Sequence, residues 1–239
     1  MKRFYKNATV DGADPVDSGF VVLLDGRSIK TPGKNSMILP TRDVAEAVAG
    51  EWQGQGEKID PASMPMMRFG ATAIDRVATQ REAVINEISA FGGHDLLCYR
   101  GDDPDLAVLQ AKSWQPLLDW ASEFLGANLT VTEGITSVDQ DPVALEKLER
   151  RVSDCSDMQL SALHTMTSIT GSLIISLALI DQEIDVEQAW EAATVDERFQ
   201  EAQWGTDAEA LERMAIRHEA VRDANKFYSL CKSGDPATN

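Results

Sequence analysis

The sequence predicts an α+β protein, with a small N-terminal domain in which helices cover an antiparallel sheet, followed by an all-helical C-terminal domain. Three observations support this fold class. β-Branched residues and turn signals are concentrated in the first 40 residues, apolar residues recur at helical spacing after them, and the second part of the chain is strongly acidic. Gly92-Gly93 separates the two parts, so we expect domains at 1–92 and 93–239.

The charge of the chain is unevenly distributed. The net charge is −17, with 22 Lys and Arg against 39 Asp and Glu, and residues 1–92 hold 11 of the basic and 12 of the acidic residues. Solvated helix faces account for most such excess. An acidic protein repels phosphate backbones and anionic lipid surfaces, so nucleic acid is not expected as a partner.

The first predicted element is a strand meander over residues 19–40. GFVVLLDG is apolar and β-branched, and its Asp25-Gly26 pair is a favoured two-residue hairpin turn. A second turn follows at 33–35. Together with RFYKNATV at the start of the chain, the pattern predicts about four strands, which need a helix to cover their apolar face.

The covering helix is predicted directly after Pro40. Thr41 can cap it, and Gly54 and Gly56 end it. Four residues fall on one side of this helix at helical spacing: Val44, Ala45, Val48 and Trp52. Two more helices, at about 64–77 and 80–91, complete the predicted N-terminal domain.

The second part of the chain is predicted to consist of helices. Pro104 lies just inside the first of them, which carries leucines and two tryptophans. A β-branched segment, LTVTEGITSV, follows it. Periodicity then predicts helices at 142–153, 156–179 and 185–203, and a last one from about Asp207 to Leu230.

The sequence bears on localisation at a long uncharged stretch, at the N-terminus and through its cysteines. The 23 residues between Asp157 and Asp181 carry no formal charge, but their many Ser and Thr residues predict a helix buried within the protein and no membrane insertion. The N-terminal segment lacks the pattern of a signal or transit peptide, and three cysteines argue against a disulfide framework. We therefore expect a cytoplasmic protein.

The sequence offers little for catalysis. None of the three histidines has a second ligand at metal-binding spacing, and no phosphate-binding glycine motif occurs, so we expect neither metal nor cofactor. The best nucleophile-like cluster is His94, Asp95 and Cys98, which leaves a hydrolase-like enzyme as an alternative. We favour a loop histidine beside an inert thiol, because no oxyanion hole or orienting base can be identified.

The predicted helix at 185–203 has two apolar stripes when its residues are placed at 100° intervals. The core stripe comprises Ala192, Val195, Phe199 and Ala202, and nearly opposite lie Trp190, Ala193, Glu197 and, where the helix extends that far, Trp204. Two interpretations stay open. Either both faces are buried, with Glu197 paired to an arginine, or the second stripe is a docking surface for a partner.

Ordered sequence blocks along almost the whole chain resemble one known family. They include RFYK at 3–6, LDGRSIKTP at 24–32, EWQGQGEKIDP at 51–61, DLLCYR at 95–100, TGSLI at 170–174 and DERFQEAQWG at 196–205. The sequence is similar in these blocks to the assembly chaperones of the F-type ATP synthase that escort the alpha subunit of its catalytic head.

This resemblance implies a protein that binds the free alpha subunit, shields the surface later taken by the beta subunit, and has no catalysis or cofactor. The sequence departs from the mitochondrial members of that family in its N-terminal segment, where no leader is seen, so we expect a bacterial cytoplasmic protein, and we expect a monomer when free. Two family positions carry over to this chain, namely Trp52 and the acidic pair Asp196 and Glu197. Trp52 is interpreted as a folding residue, whereas Glu197 is a candidate partner contact. A passive scaffold subunit of a complex is the remaining alternative.

Overall fold

The protein is described by a computed structural model covering residues 1–13, 19–134, 137–205 and 208–232. It divides into two compact units. Unit 1 comprises Met1–Arg81, Ser156–Ala162 and the chain from Lys226 onward, and unit 2 comprises Glu82–Cys155 and Leu163–Asn225. These units differ from the ranges expected from sequence, because unit 1 also includes two segments from late in the chain. That residues 1–92 and residues 93–239 fold as separate domains remains a prediction.

The sheet of unit 1 is antiparallel, as predicted. Its strands are β1 (Ala8–Gly12), β2 (Phe20–Leu24) and β3 (Arg27–Ser28), in the order β1-β2-β3. Asp25 and Gly26 form the turn between β2 and β3, both with positive φ. Of the four expected strands, the last, within residues 36–40, is reduced to an isolated bridge between Phe20 and Leu39, and a further isolated bridge joins Lys2 to Lys58.

Helix α1 (Arg42–Gln53) covers this sheet, as the apolar spacing predicted. The Thr41 hydroxyl accepts the N–H of Val44 at 3.2 Å, and Val44, Ala45 and Val48 are fully buried. Trp52 is only half-buried. Its spacing gave the correct face of the helix, but the last turn of α1 lies at the margin of the core.

Helix α2 (Pro65–Asp75) has no side-chain cap of its own. The carboxylate of Glu51 takes that role, because it accepts the N–H groups of Met66 and Met67 at 2.7 and 2.8 Å. These first-turn N–H groups have no intrahelical partner, and an anionic acceptor is favoured at a helix N-terminus. The chain then forms α3 (Arg81–Ser89).

Most of the helices predicted for the second part of the chain lie in unit 2, together with a short pair of strands. Asp103 caps α4 (Pro104–Trp120), which continues into a π-helical turn at Ala121–Leu125, and Asp141 caps α5 (Pro142–Ser153). The strands β4 (Tyr99–Arg100) and β5 (Thr132–Glu133) pair in parallel.

Two of the predicted helices are broken. In place of 156–179 there are α6 (Asp157–Thr170) and α7 (Leu173–Ile180), separated by Gly171 at φ +71° and by Ser172, which caps α7. All eight residues of α7 are buried. None of the helices in the described ranges combines the length and apolar content needed to cross a bilayer.

In place of 185–203 there are α8 (Val186–Ala193) and α9 (Val195–Trp204), with Thr194 between them at φ −118° and ψ 21°. The Ala192 carbonyl accepts the indole N–H of the buried Trp114 at 2.8 Å. In a continuous helix the Ala192 carbonyl would accept the N–H of Asp196. Here it accepts the indole N–H of Trp114 at the point where the helix breaks. The last helix, α10, is Ala208–Lys232, and its predicted start at Asp207 lies outside the described residues.

Candidate partner-binding site

The break at Thr194 separates the residues predicted to form one stripe. Trp190 lies on α8, whereas Asp196, Glu197 and Trp204 lie on α9. Trp190 is 5% exposed and Trp204 is 77% exposed. The prediction of a continuous stripe from Trp190 to Trp204 is therefore wrong, because angular spacing has no meaning across a break in the helix.

Trp190 is part of the packed interior of unit 2. Its ring stacks on the imidazole of His218, with centroids 5.0 Å apart and planes 11° apart. The Arg217 guanidinium lies 5.4 Å from the centroid of the same indole. Burial and these ring contacts give Trp190 a structural role. This agrees with the interpretation in which both faces of the predicted helix are buried.

Glu197 is paired with an arginine, which the interpretation with two buried helix faces also required. Its carboxylate lies 3.3 Å from Nη1 of Arg217, and both side chains are 40% exposed. Nη2 of the same arginine donates to the carbonyl of Ile169 at 3.1 Å. A pair this exposed contributes about 0–1 kcal/mol to stability, so its charges remain available to a partner.

Asp196 fixes α9 from another side. Its carboxylate accepts the side-chain amide of Gln110, on α4, at 2.7 Å, and the amide oxygen of Gln110 accepts the N–H of Gly101 at 2.8 Å. Gln110 is 1% exposed. A buried amide with both ends bonded is a firm anchor, so Asp196 positions α9 rather than facing solvent freely.

No residue of α9 is buried. Of the predicted core stripe only Ala192, on α8, is buried, whereas Val195 and Phe199 are half-buried and Ala202 is exposed. The core-stripe prediction for α9 is therefore wrong. Most helices in proteins are stabilised by an apolar face, whereas α9 has apolar residues that are at most half-buried and is held in addition by the contact of Asp196 with the buried Gln110.

A cleft of about 360 Å³ separates α9 from the start of α10. Its walls combine an exposed indole, a thioether and an ion pair, from Trp204, Met214, Glu197 and Arg217. Two further apolar residues of α10 are exposed, Leu211 at 53% and Ile216 at 63%. Tryptophan, methionine and arginine are enriched in protein interfaces, so this cleft is suited to a polypeptide partner.

The sequence did not identify the residues that complete this cleft. Arg217 and Met214 lie far along the chain from Glu197, on a helix whose exposed face carries both charged and apolar residues. The requirement that Glu197 be paired to an arginine was a usable signal. It could not select one among the many arginines of the chain.

The nucleophile-like cluster has the wrong chemistry for catalysis. Cys98 is fully buried, and burial together with the nearby Asp95 charge raises the pKa of its thiol to about 12. His94 is exposed, and its ring packs against Phe91 at 5.3 Å. A catalytic cysteine needs a lowered pKa and access to substrate, so the hydrolase-like alternative loses its basis.

Asp95 has a structural role instead. Its buried carboxylate accepts the N–H groups of Leu97 and Ile174, both at 3.1 Å, which joins the segment before β4 to the first turn of α7. Within the described ranges, no cluster of three or more His, Cys, Asp or Glu residues could hold a metal ion.

Trp52 connects α1 to the N-terminal segment of unit 1. Its ring meets that of Tyr5 edge to face, with centroids 5.6 Å apart, and its carbonyl accepts the Tyr5 hydroxyl at 2.6 Å. These contacts are compatible with the folding role that the sequence predicted for Trp52, which stays a prediction.

An α+β fold that presents an indole beside an ion pair in a surface cleft is compatible with a chaperone-type binding protein. The chain belongs to the ATP12 chaperone protein family, whose sequence profile matches residues 2–122.

Solved structures agree with this assignment over nearly the whole chain. The crystal structure of Atp12 from Paracoccus denitrificans is 42% identical with a TM-score of 0.92, and the match covers 97% of this chain and 98% of that chain. A mutant of P. denitrificans Atp12p gives 41% identity with the same TM-score and coverage. The Atu1473 protein from Agrobacterium tumefaciens is 41% identical with a TM-score of 0.92, and the match covers 97% of this chain and 86% of that chain.

Proposed function

We propose that this protein is a chaperone for assembly of the F-type ATP synthase, and that its client is the unassembled alpha subunit. It would bind that subunit and shield its subunit interface until assembly. Family membership supports the chaperone role in ATP synthase assembly. The ordered blocks of the sequence support the alpha subunit as client, because they resemble the chaperones that escort this subunit.

The observation that carries the proposal is the exposure of Trp204 beside the Glu197–Arg217 pair. An unassembled ring subunit exposes a large apolar interface, which needs a complementary apolar surface. Covering one tryptophan removes roughly 200 Å² from water, or on the order of 5 kcal/mol before the costs of association. Trp204 is 77% exposed and can contribute most of this gain.

The ion pair supplies selectivity at the same cleft. A cationic group of the client competes with Arg217 for Glu197, while an anionic group competes for the guanidinium, so only a client with charges in matching places gains from both. Asp196 contributes by holding α9 against Gln110. We assign it a positioning role in client binding.

The proposal is tested by producing the alpha subunit alone, with this protein, and with two variants. Trp204→Ala removes the exposed indole, and Phe124→Ala is the matched control, because Phe124 is also in unit 2, is 68% exposed and does not line the cleft. We expect wild type and the Phe124 variant to keep the alpha subunit soluble and to co-purify with it. The Trp204 variant should lose most of both effects.

The beta subunit, tested in parallel, should gain no solubility. An alpha subunit that neither becomes more soluble nor forms a complex with the wild-type protein would refute the client assignment. Recovery of this protein at fixed stoichiometry in the finished synthase would instead identify a scaffold subunit.

A further inference from the structure

Unit 1 contains a second, larger cavity, of about 560 Å³, at the end of α1 and along one side of α2. Its walls are mainly apolar, with Trp52, Ile59, Met64, Met67 and Ala71 among the lining residues. Methionine side chains are flexible and polarisable, and they adapt to apolar groups of different shape. The cavity volume lies within the range of ligand-binding pockets, about 300–1,000 Å³.

The charged groups around this cavity are dominated by arginine. The lining charged side chains are Arg68, Asp75 and Arg76. The Asp75 carboxylate is already occupied by three donors, because it accepts hydrogen bonds from the hydroxyl of Thr31, the N–H of Gly33 and the side-chain amide of Asn35, at 2.6–2.8 Å. These bonds lower the pKa of Asp75.

Arg68 is exposed at the rim, and its guanidinium lies 6.0 Å from the Phe69 ring centroid. Two arginines line the cavity against one carboxylate, that of Asp75, so the net charge of its lining side chains is positive. The complementary ligand is apolar, with a carboxylate next to its apolar part.

Trp52, one of the lining residues, carries an unpaired indole N–H. Its Nε1 is buried and has no hydrogen-bond acceptor among the described residues. A donor that is already shielded from water does not have to be desolvated when an acceptor arrives. A peptide carbonyl that reaches this nitrogen, after a small displacement of the ring, satisfies it.

We propose that this cavity is a docking site for an extended polypeptide segment, which inserts an apolar side chain next to Trp52 and places a neighbouring acidic residue against Arg68. A small-molecule site would require several convergent polar groups to fix its ligand. Here the side-chain polar groups that line the cavity are Trp52, Thr72, the engaged Asp75 and two rim arginines. The docking site lies in unit 1 and does not depend on the client proposed above.

The experiment is an NMR titration of the full-length ¹⁵N-labelled protein, with the Trp52 indole resonance assigned from its loss in Trp52→Phe. The probe is a capped seven-residue peptide in which two leucines flank a glutamate. We expect a saturable downfield shift of the Trp52 indole proton, since that proton gains an acceptor. Two control peptides, with serines for the leucines or lysine for the glutamate, should each cause little change.

Variants separate the charge from the fold. Arg68→Glu should weaken binding of the leucine–glutamate peptide by roughly fivefold or more. Arg27→Glu makes the same charge change at an exposed arginine of unit 1 that does not line the cavity, and it should leave the affinity unchanged. The far-UV circular dichroism of both variants should match wild type.

Three results would overturn the proposal: no movement of the Trp52 indole at millimolar peptide, equal affinity for the glutamate and lysine peptides, or equal affinity in the Arg68 and Arg27 variants. Binding of toluene in the cavity without binding of the peptide would also overturn it, because it would indicate a small-molecule site.

Discussion

The carboxylate of Glu197 and the guanidinium of Arg217 lie 3.3 Å apart and join α9 to α10. The same guanidinium lies 5.4 Å from the Trp190 ring centroid and donates to the Ile169 carbonyl at 3.1 Å. One arginine therefore connects the acidic residue of the candidate site to the buried tryptophan of α8. The two residues assigned to one stripe by periodicity are related through Arg217 instead.

Reversing the charge of Glu197 should affect client binding far more than stability. Because the pair is 40% exposed on both sides, Glu197→Lys should lower the free energy of unfolding by no more than about 1 kcal/mol. Binding of the alpha subunit should weaken by about tenfold or more, since the cleft changes polarity. Urea unfolding and a quantitative binding assay measure the two effects.

The control for this variant is the charge swap Glu197→Arg with Arg217→Glu. It restores an ion pair between α9 and α10 while leaving the polarity of the cleft reversed. Because Arg217→Glu also removes the contacts with the Ile169 carbonyl and the Trp190 ring, we expect the swap to recover stability only in part and not to recover client binding. Full recovery of binding by the swap would show that the pair acts only by holding α9 in place.

Truncating Trp190 should destabilise the protein. Trp190→Ala leaves a large cavity in unit 2 and removes the surface on which His218 stacks, so the free energy of unfolding should fall by about 3–5 kcal/mol. Trp204→Ala is the natural comparison, because exposed substitutions usually change stability by about 0.5 kcal/mol or less. Similar urea midpoints for the two variants would contradict the assignment of one tryptophan to the core and the other to the surface.

Two glycine substitutions should have opposite signs. Gly171 has φ +71°, and an added Cβ would meet only the Leu96 Cβ, at 3.9 Å, so Gly171→Ala should cost about 1–2 kcal/mol through backbone strain alone. Gly50 lies inside α1 with open space around its Cβ position, and Gly50→Ala should stabilise by about 0.5–1 kcal/mol. Thermal unfolding of both variants checks the signs.

Asp95 should make stability fall as the pH rises. Burial raises the pKa of its carboxyl, an effect that the hydrogen bonds from Ser172, Ile174, Leu97 and Leu173 offset only in part. The folded state therefore holds this proton more tightly than the unfolded chain, whose aspartate pKa is about 3.9. The contribution is fully present below that value and is lost as the pH rises through the folded-state pKa.

Asp95→Asn cannot titrate, so the stability of wild type relative to this variant should decrease as the pH rises from about 4. Urea unfolding at a series of pH values measures the difference. The variant also loses a backbone acceptor, which adds a nearly constant offset without changing the slope. A difference that increased with pH would contradict a raised pKa at Asp95.

The sequence by itself determined the features that depend on neighbouring residues. The Asp25-Gly26 turn, the Thr41 cap and the bounds of α5 follow from local signals, and the structure confirms each of them. Capping and turn chemistry are satisfied by groups within a few residues, so one stretch of sequence contains the information needed to predict them.

Only the tertiary structure decided where the long helices break. Apolar spacing runs without interruption across Thr194, and the break coincides with the Ala192 carbonyl accepting from Trp114 on another helix. Trp190 and Trp204 thus have similar sequence surroundings but opposite exposure. Periodicity gives the direction of a side chain only while the helix continues.

The candidate site shows the same division. Sequence blocks identified the family and the acidic pair on α9, but the roles of those residues depend on Gln110 and Arg217, which lie on other helices. The cavity beside Trp52 likewise forms only when α1 and α2 come together. Ion pairs and cavities are set by distances between segments far apart in the chain, and local sequence patterns do not contain those distances.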